Sequence, residues 1–157
     1  MIIVEQRQAV QAEIDVKVRP AAEADINFIF NSWLKCFRNG GFSFGVKNDV
    51  YYDSQHKLIE KLLKTCVVNV VCSISDPNDI YGWSCHEYVD GVFCMHFAYV
   101  KAPHRNLGIA RILMDKTEFD FSTASIYTHQ TSMSNKLAAK FNMVYHPYVL
   151  LKGYGHE

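Results

Sequence analysis

The sequence contains five cysteines but no C-x-x-C pair. An odd number of cysteines argues against a disulfide framework, and the missing pair argues against a zinc site. We therefore expect no metal, and we expect reduced thiols in a cytoplasm-like compartment.

Net charge, long apolar runs and nucleotide-binding glycine motifs are also missing. The 16 Lys and Arg residues balance 16 Asp and Glu residues, so the total charge favours neither nucleic acid nor a membrane as a partner. No apolar run approaches membrane-spanning length, and the start of the chain becomes charged too soon for a signal peptide. Neither G-x-G-x-x-G nor the Gly-Lys-Ser/Thr ending of a P-loop is present. These absences predict a cytoplasmic protein with no membrane partner and no indicated nucleic-acid partner.

A chain of 157 residues is long enough for one domain and too short for two ordinary ones. Residues 1–15 are mixed and Gln-rich, which predicts a loosely attached N-terminal arm before a single domain over residues 16–157. Apolar residues at period two or in continuous runs predict strands, and apolar residues at helical spacing predict helices. The predicted strands are 16–19, 66–73, 80–89, 92–100, 125–128 and 145–151. The predicted helices are 23–37, 54–65, a third that follows Gly108, and 134–141.

The stretch Val92–Met114 carries the main functional signal. Its strand ends before Pro103, which cannot donate a backbone hydrogen bond, and a helix follows Gly108. The first amides of a helix lack internal partners and point outward with the positive end of its dipole. Gly108 would let an anion approach these amides, and Arg105 and Arg111 would add positive charge. The pattern predicts a phosphate site, with an ordinary strand-to-helix turn as the alternative.

The order Arg105-x-x-Gly108-x-Ala110 matches the Gln/Arg-x-x-Gly-x-Gly/Ala signature of the GNAT superfamily, the acetyl-coenzyme A-dependent N-acetyltransferases. Asn135, with Lys140-Phe-Asn-Met143 after it, resembles a weakened form of that family's second motif, in which Asn142 takes the left-handed cap position usually held by Gly. The resemblance covers most of the chain. It implies an α/β protein with the GNAT fold, a central mixed, mostly antiparallel sheet of about six strands with helices on both faces.

The resemblance also implies an enzyme, an N-acetyltransferase in which an amine directly attacks acetyl-coenzyme A with help from a general base. The acceptor would be an amine-bearing small molecule or protein, and the oligomeric state stays open, with a homodimer among the options. The implied cofactor contacts are Tyr99, Val100, Arg105, Asn106, Leu107, Gly108, Ile109, Ala110, Arg111 and Asn135. Candidates for the acceptor wall are Trp83 and the loop residues Phe42 and Phe44, with core packing as an equal alternative for the two Phe residues.

The candidates for acid-base chemistry come from the hairpin around Asp90-Gly91. Without a bulge, its register places Cys85 opposite His96 and makes Glu87 a diagonal neighbour of His96. The resemblance implies the alternative, because GNAT proteins often carry a bulge near the end of this strand, and a bulge in either strand would cancel this inference. His96 is the first candidate for the base because the pKa of histidine ordinarily lies near neutral pH, and Glu87 would orient it or act alone. A core histidine satisfied by a neighbouring group is the alternative.

The general acid is the point at which the chain departs from the family. GNAT proteins usually have a Tyr where this chain has Ala138. Ser134, Tyr127 and Tyr145 stay open as substitutes, and the reaction can also proceed without a dedicated acid because a thiolate is a tolerable leaving group. The missing Tyr leaves a non-catalytic GNAT-fold protein with a binding or regulatory role as the alternative function.

Overall fold

The structure is a computed structural model that describes residues 15–41, 43, 45–105 and 107–153. The predicted site residues Phe42, Phe44 and Asn106 lie outside the described residues, as do residues 1–14 of the predicted arm.

Six strands in the described part of the chain form one sheet with the order β1-β2-β3-β4-β5-β6. They are β1 (Val16–Pro20), β2 (Val67–Ser73), β3 (Ile80–Val89), β4 (Val92–Val100), β5 (Ser125–Tyr127) and β6 (Met143–Tyr145). Strands β1 to β4 pair antiparallel, whereas β4 with β5 and β5 with β6 pair parallel. The predicted mixed, mostly antiparallel sheet is therefore confirmed. The predicted closing strand, 145–151, is wrong except at Tyr145, because β6 begins at Met143 and ends at Tyr145 and a 3-10 segment occupies Pro147–Gly153.

Four α-helices in the described residues cover the two faces of this sheet. They are α1 (Ile26–Asn39), α2 (Asn48–Thr65), α3 (Ile109–Lys116) and α4 (Ser132–Phe141). Helices α1 and α2 bury Trp33 and Ile59 against Phe97 on one face, and α3 and α4 bury Met114 and Leu137 on the other. Among the described residues, no helix has the length and apolar character needed to cross a membrane.

The β3–β4 hairpin has the predicted turn but contains a bulge. Asp90 and Gly91 both have positive φ, 50° and 79°, as a two-residue hairpin turn requires. The register then shifts between Cys85 and His86, so Cys85 pairs with Phe97 and not with His96 as expected. The extra residue lies on β4. The β4 side chains that follow it therefore lie on the opposite face of the sheet from the one that regular alternation would give them.

Candidate functional site

A groove of about 970 Å³ runs between α1, the end of β4, the first turn of α3 and the length of α4. Several residues that the sequence predicts for the cofactor line it together: Tyr99, Val100, Arg105, Gly108, Ile109, Ala110 and Arg111. Its size is within the range of pockets that hold organic cofactors, about 300–1,000 Å³. The groove is therefore the main candidate site.

The turn before α3 is open toward solvent. Gly108 is exposed and has the left-handed conformation, with φ 81° and ψ 12°. A Cβ atom at this position would meet no atom of the described residues within 4 Å, its chain neighbours aside. Because the first N–H groups of an α-helix have no partner within the helix, the start of α3 presents donors beside this open glycine.

Contacts with β3 and β4 hold this turn in place. The ring of His104 stacks on Tyr81 of β3 with centroids 4.0 Å apart, and the Lys101 amide donates to the Tyr81 carbonyl at 2.9 Å. The Arg105 Nε donates to the carbonyl of Val100, the last residue of β4, at 3.2 Å. The turn is thus attached to the strand that forms the groove wall.

The groove is positively charged. Five of its lining residues are basic, namely Lys35, Arg105, Arg111, Lys136 and Lys140, and none of the described lining residues is Asp or Glu. The guanidinium of Arg111 lies 5.5 Å from the centre of the Phe141 ring, which packs it against α4. Such a rim favours a ligand with several negative charges.

Strands β4 and β5 separate where the groove begins. Their last pair is Met95 with Tyr127, and the Thr128 amide still donates to the Met95 carbonyl at 3.2 Å. Strand β4 continues to Val100, whereas β5 has already ended. The resulting wedge leaves the edge of β4 beside the groove, where an extended ligand can reach backbone groups.

Several predicted site residues lie elsewhere. Leu107 is exposed beside the turn and is not among the residues that line the groove. Asn135 accepts a hydrogen bond from the Tyr127 hydroxyl at 2.9 Å. The Tyr145 ring packs on Tyr127 with centroids 5.5 Å apart. None of these three predicted residues, nor Tyr127, therefore reaches the groove in this structure.

Ser134 and Trp83 have structural contacts in place of the predicted roles. The Ser134 hydroxyl donates to the His129 carbonyl at 2.8 Å and accepts from the Thr131 amide at 2.7 Å, so it caps the start of α4. Trp83 is fully buried, and its Nε1 donates to the Ser32 hydroxyl at 2.8 Å. Trp83 thus lies in the core and has no surface to offer an acceptor.

The two residues predicted for the acid-base chemistry, Glu87 and His96, face a second cavity of about 270 Å³. The Glu87 Oε2 lies 2.6 Å from the His96 Nε2, which agrees with the predicted proximity of these two residues. The Nδ1 of His96 lies 2.9 Å from the Thr128 hydroxyl, and the same hydroxyl is 2.9 Å from the Nδ1 of His129. Glu87 and His96 line this second cavity together with residues of α2, such as Lys61.

The protonation of these groups follows from their contacts. Burial alone would lower the pKa of His96, but the neighbouring Cys66, Cys94 and Glu87 side chains outweigh it and raise that pKa. Burial likewise opposes the ionisation of Glu87, yet hydrogen bonds from Cys66 and His96 lower the pKa of the carboxyl group. Burial lowers the pKa of His129 to about 3, so this residue is neutral at physiological pH.

Sequence reasoning missed Gly82, a β3 residue that lies directly against the part of β4 that lines the groove. It lies opposite Val100 in the sheet, and a side chain there would come within 2.6 Å of the Tyr99 carbonyl oxygen and 3.0 Å of Ile109. A glycine inside a strand signals a close backbone approach, and this was the available sequence signal. Sequence reasoning also missed Ser32 and Cys36, which are four residues apart on α1 and line the groove.

Neither a family model nor a curated protein sequence matches this chain. Solved structures do resemble it. A GCN5-related N-acetyltransferase from Ralstonia eutropha JMP134 has 19% identity over 80% of this chain and 90% of its own, with a TM-score of 0.59. A protein described as histone acetyltransferase HPA2 and related acetyltransferase, from Corynebacterium glutamicum ATCC 13032, has 14% identity over 66% of this chain and 70% of its own, with a TM-score of 0.53. The chain therefore has the GNAT fold.

Proposed function

We propose that this chain is an N-acetyltransferase that uses acetyl-coenzyme A to acetylate an amine. One observation carries the proposal: an open, left-handed Gly108 precedes the N-terminus of α3 on a groove that is lined by basic residues. The likeness to acetyltransferase structures supports it at the level of the fold.

The groove offers the chemical groups that coenzyme A binding requires. A diphosphate needs backbone N–H donors, positive charge and close approach, and these are offered by the start of α3, by Arg105 and Arg111, and by Gly108. Lys136 and Lys140 on α4 would add charge for further phosphate oxygens. Among the described lining residues there is no carboxylate to repel such a ligand.

The separated edge of β4 fits the extended pantetheine arm. Backbone groups of Tyr99 and Val100 border the groove past the end of β5, so an amide-containing chain can lie beside them as an added strand would. Acetyl-coenzyme A would supply an activated thioester. A backbone amide near this strand end would stabilise the oxyanion that forms when an amine attacks.

The acceptor in this proposal is an amine on a small molecule or a protein. No residue that lines the groove is assigned as the base. The sequence-based prediction that His96 takes the proton, with Glu87 beside it, remains a prediction, since both side chains face the second cavity.

The binding half of the proposal is tested by Gly108→Glu, with coenzyme A titrated by isothermal calorimetry. The new carboxylate would stand beside the diphosphate, and we expect the affinity to fall about 100-fold or more. Gly91→Glu is the matched control, because Gly91 has nearly the same φ, 79° against 81°, and equally open surroundings in the remote hairpin turn. Gly108→Gln separates the effect of charge from that of bulk.

Equal coenzyme A affinity in Gly108→Glu and Gly91→Glu would contradict the proposed binding mode. The transfer half is tested by mass spectrometry of a panel of amines incubated with acetyl-coenzyme A. A Gly108-dependent acetylated product supports the enzyme. Binding without product would favour the second candidate, a cofactor-binding protein without turnover, which is suggested because Ser134 and Tyr145 lie outside the groove.

A further inference from the structure

Three neighbouring strands bring potential metal ligands together on the α2 side of the sheet. Cys66 immediately precedes β2, Glu87 lies near the end of β3, and His96 is the extra residue of the β4 bulge. The Cys66 Sγ, one carboxylate oxygen of Glu87 and one ring nitrogen of His96 all lie within 4.8 Å of one another. We propose that Cys66, Glu87 and His96 bind a zinc ion, independently of the groove.

The distances in the cluster are close to those that zinc requires. The Glu87 Oε2 lies 2.6 Å from the His96 Nε2 and 3.1 Å from the Cys66 Sγ. Around a tetrahedral zinc ion with ordinary bond lengths, N, O and S ligands are separated by about 3.4–3.6 Å. The Glu87 oxygen therefore needs to move apart from each of the other two ligand atoms by less than about 1 Å, and the Cys66 and His96 atoms, which lie within 4.8 Å of each other, need to settle at about 3.6 Å. Glu87 can supply much of this movement, since its side chain is 31% exposed.

The ligand types match zinc in softness and charge. Thiolate, imidazole and carboxylate are the three ligand types that zinc takes in proteins, and magnesium or calcium sites would be built from oxygen. A Cys66 thiolate and a Glu87 carboxylate together carry two negative charges, which the ion neutralises. The absence of a C-x-x-C pair does not count against this site, because its ligands come from separate strands and not from one loop.

A hydrogen bond to Thr128 orients the ring of His96. The Nδ1 of His96, on the side of the ring away from Glu87, lies 2.9 Å from the Thr128 hydroxyl. Ligating histidines usually bind a polar group through the second ring nitrogen, which fixes the ring and leaves the other nitrogen for the metal. The His96 side chain is only 2% exposed, so this orientation is well determined by packing.

The second cavity provides the fourth position. Glu87 and His96 line this cavity of about 270 Å³ together with apolar residues such as Leu58, Leu62 and Leu150 and with Lys61. Three protein ligands with space beside them are the arrangement of an open zinc site, in which water or an exogenous ligand completes the tetrahedron. The site would thus hold an ion with one exchangeable position.

Zinc binding is tested with the full chain after removal of metals by a chelator. We expect one zinc ion per chain, measured by competition with a chromophoric chelator of known affinity. Cys66→Ser and His96→Gln should each lower the affinity by about 100-fold or more, since even second-shell changes cost about 10–100-fold. Thr128→Val should cost about tenfold or more, because it removes the contact that orients His96. Cys36→Ser is the matched control, since Cys36 is also a half-buried free cysteine, on α1.

Cobalt gives a second readout, which identifies a thiolate ligand directly. The cobalt form of the wild type should show a thiolate-to-metal charge-transfer band, which Cys66→Ser should lose and Cys36→Ser should keep. Equal zinc affinity in Cys66→Ser and Cys36→Ser, or a cobalt spectrum without a thiolate band in the wild type, would overturn the proposal. The cluster would then be a hydrogen-bonded triad only.

The same variants separate this site from the predicted base. A bound ion would occupy the His96 nitrogen Nε2, which a general base needs. Cys66→Ser removes a zinc ligand and leaves that nitrogen free. Coenzyme A binding should persist in Cys66→Ser and be lost in Gly108→Glu, so the zinc proposal and the proposed function can fail separately.

Discussion

Replacing Gly82 with alanine tests whether β3 fixes the groove wall through its close approach to β4. The added methyl carbon would lie 2.6 Å from the Tyr99 carbonyl oxygen and 3.0 Å from the Ile109 Cγ2. Tyr99 belongs to the strand beside the groove, and Ile109 is the first residue of α3. The methyl group must therefore displace both walls of the proposed cofactor site.

The magnitude follows from these distances. The Tyr99 oxygen must recede by about 0.8 Å to move from 2.6 Å to the 3.4 Å at which ordinary contact begins. Because the sheet holds this backbone, the displacement is an overpacking strain, which typically costs about 1–3 kcal/mol. We expect the free energy of unfolding to fall by about 2 kcal/mol. We also expect the affinity for coenzyme A to fall about tenfold, because the Tyr99 backbone shifts relative to Gly108.

Urea denaturation followed by circular dichroism measures the first quantity, and calorimetric titration of coenzyme A measures the second. The denaturant slope should stay unchanged, which would show that only stability has changed. Gly91→Ala is the control, because its φ of 79° strains any side chain although the added Cβ would meet no atom of the described residues within 4 Å. It should lose about 1–2 kcal/mol of stability and keep the affinity. The reasoning is refuted if the free energy of unfolding of Gly82→Ala is within about 0.5 kcal/mol of the wild-type value and the variant binds coenzyme A equally well.

Two further predictions concern stability. Hydrogen bonds from the Arg19 guanidinium, at 2.6 and 2.9 Å, hold the pKa of the buried Asp25 carboxyl below its ordinary value. The ionised carboxylate therefore stabilises the fold at neutral pH, and this contribution is lost as the pH falls below about 4. In a plot of the urea denaturation midpoint against pH, Asp25→Asn should remove most of the decrease at acid pH. Asp53→Asn, which removes a carboxylate from an exposed ion pair, should not change that decrease. Equal profiles for the two variants would refute the prediction. Asn142 ends α4 with φ 58°, so Asn142→Ala should lose about 1–2 kcal/mol and Asn142→Gly almost nothing, a difference that thermal melting would reveal.

The parts of the fold that depend on local backbone chemistry could be predicted from the sequence. Asp90-Gly91 and Asn142 indicate positive φ, and the structure has it at each of these residues. Gly108 indicates close approach of an anion to the helix start, and in the structure the turn that it forms, with positive φ, opens on the groove. In each case one residue type in one backbone conformation decides the geometry, so neighbours in space are not needed for the prediction.

The parts that depend on distant contacts could not be predicted. Nothing in the letters around His96 distinguishes a regular β4 from a bulged one, because both have apolar residues on the two faces. Cys66 and His96 are 30 positions apart, and they meet only because the registers of the β2–β3 and β3–β4 hairpins place them on either side of β3. The sequence indicates a closing strand at residues 145–151, but β6 (Met143–Tyr145) shares only Tyr145 with it, because its position depends on pairing with β5 and on how the following segment packs.

The bulge explains how one strand takes part in two separate sites. Before the bulge, Phe93 and Met95 face α3 and α4, and after it Ala98 faces the same side. His96 and Phe97, which are consecutive in the chain, therefore both have their side chains on the α1 and α2 side. A regular β4 would send every residue after His96 to the opposite face. The α3 side of the sheet would then receive Phe97 in place of the small Ala98, which lines the groove. A single inserted residue therefore lets β4 direct His96 into the second cavity while its next residues keep the groove open to a cofactor.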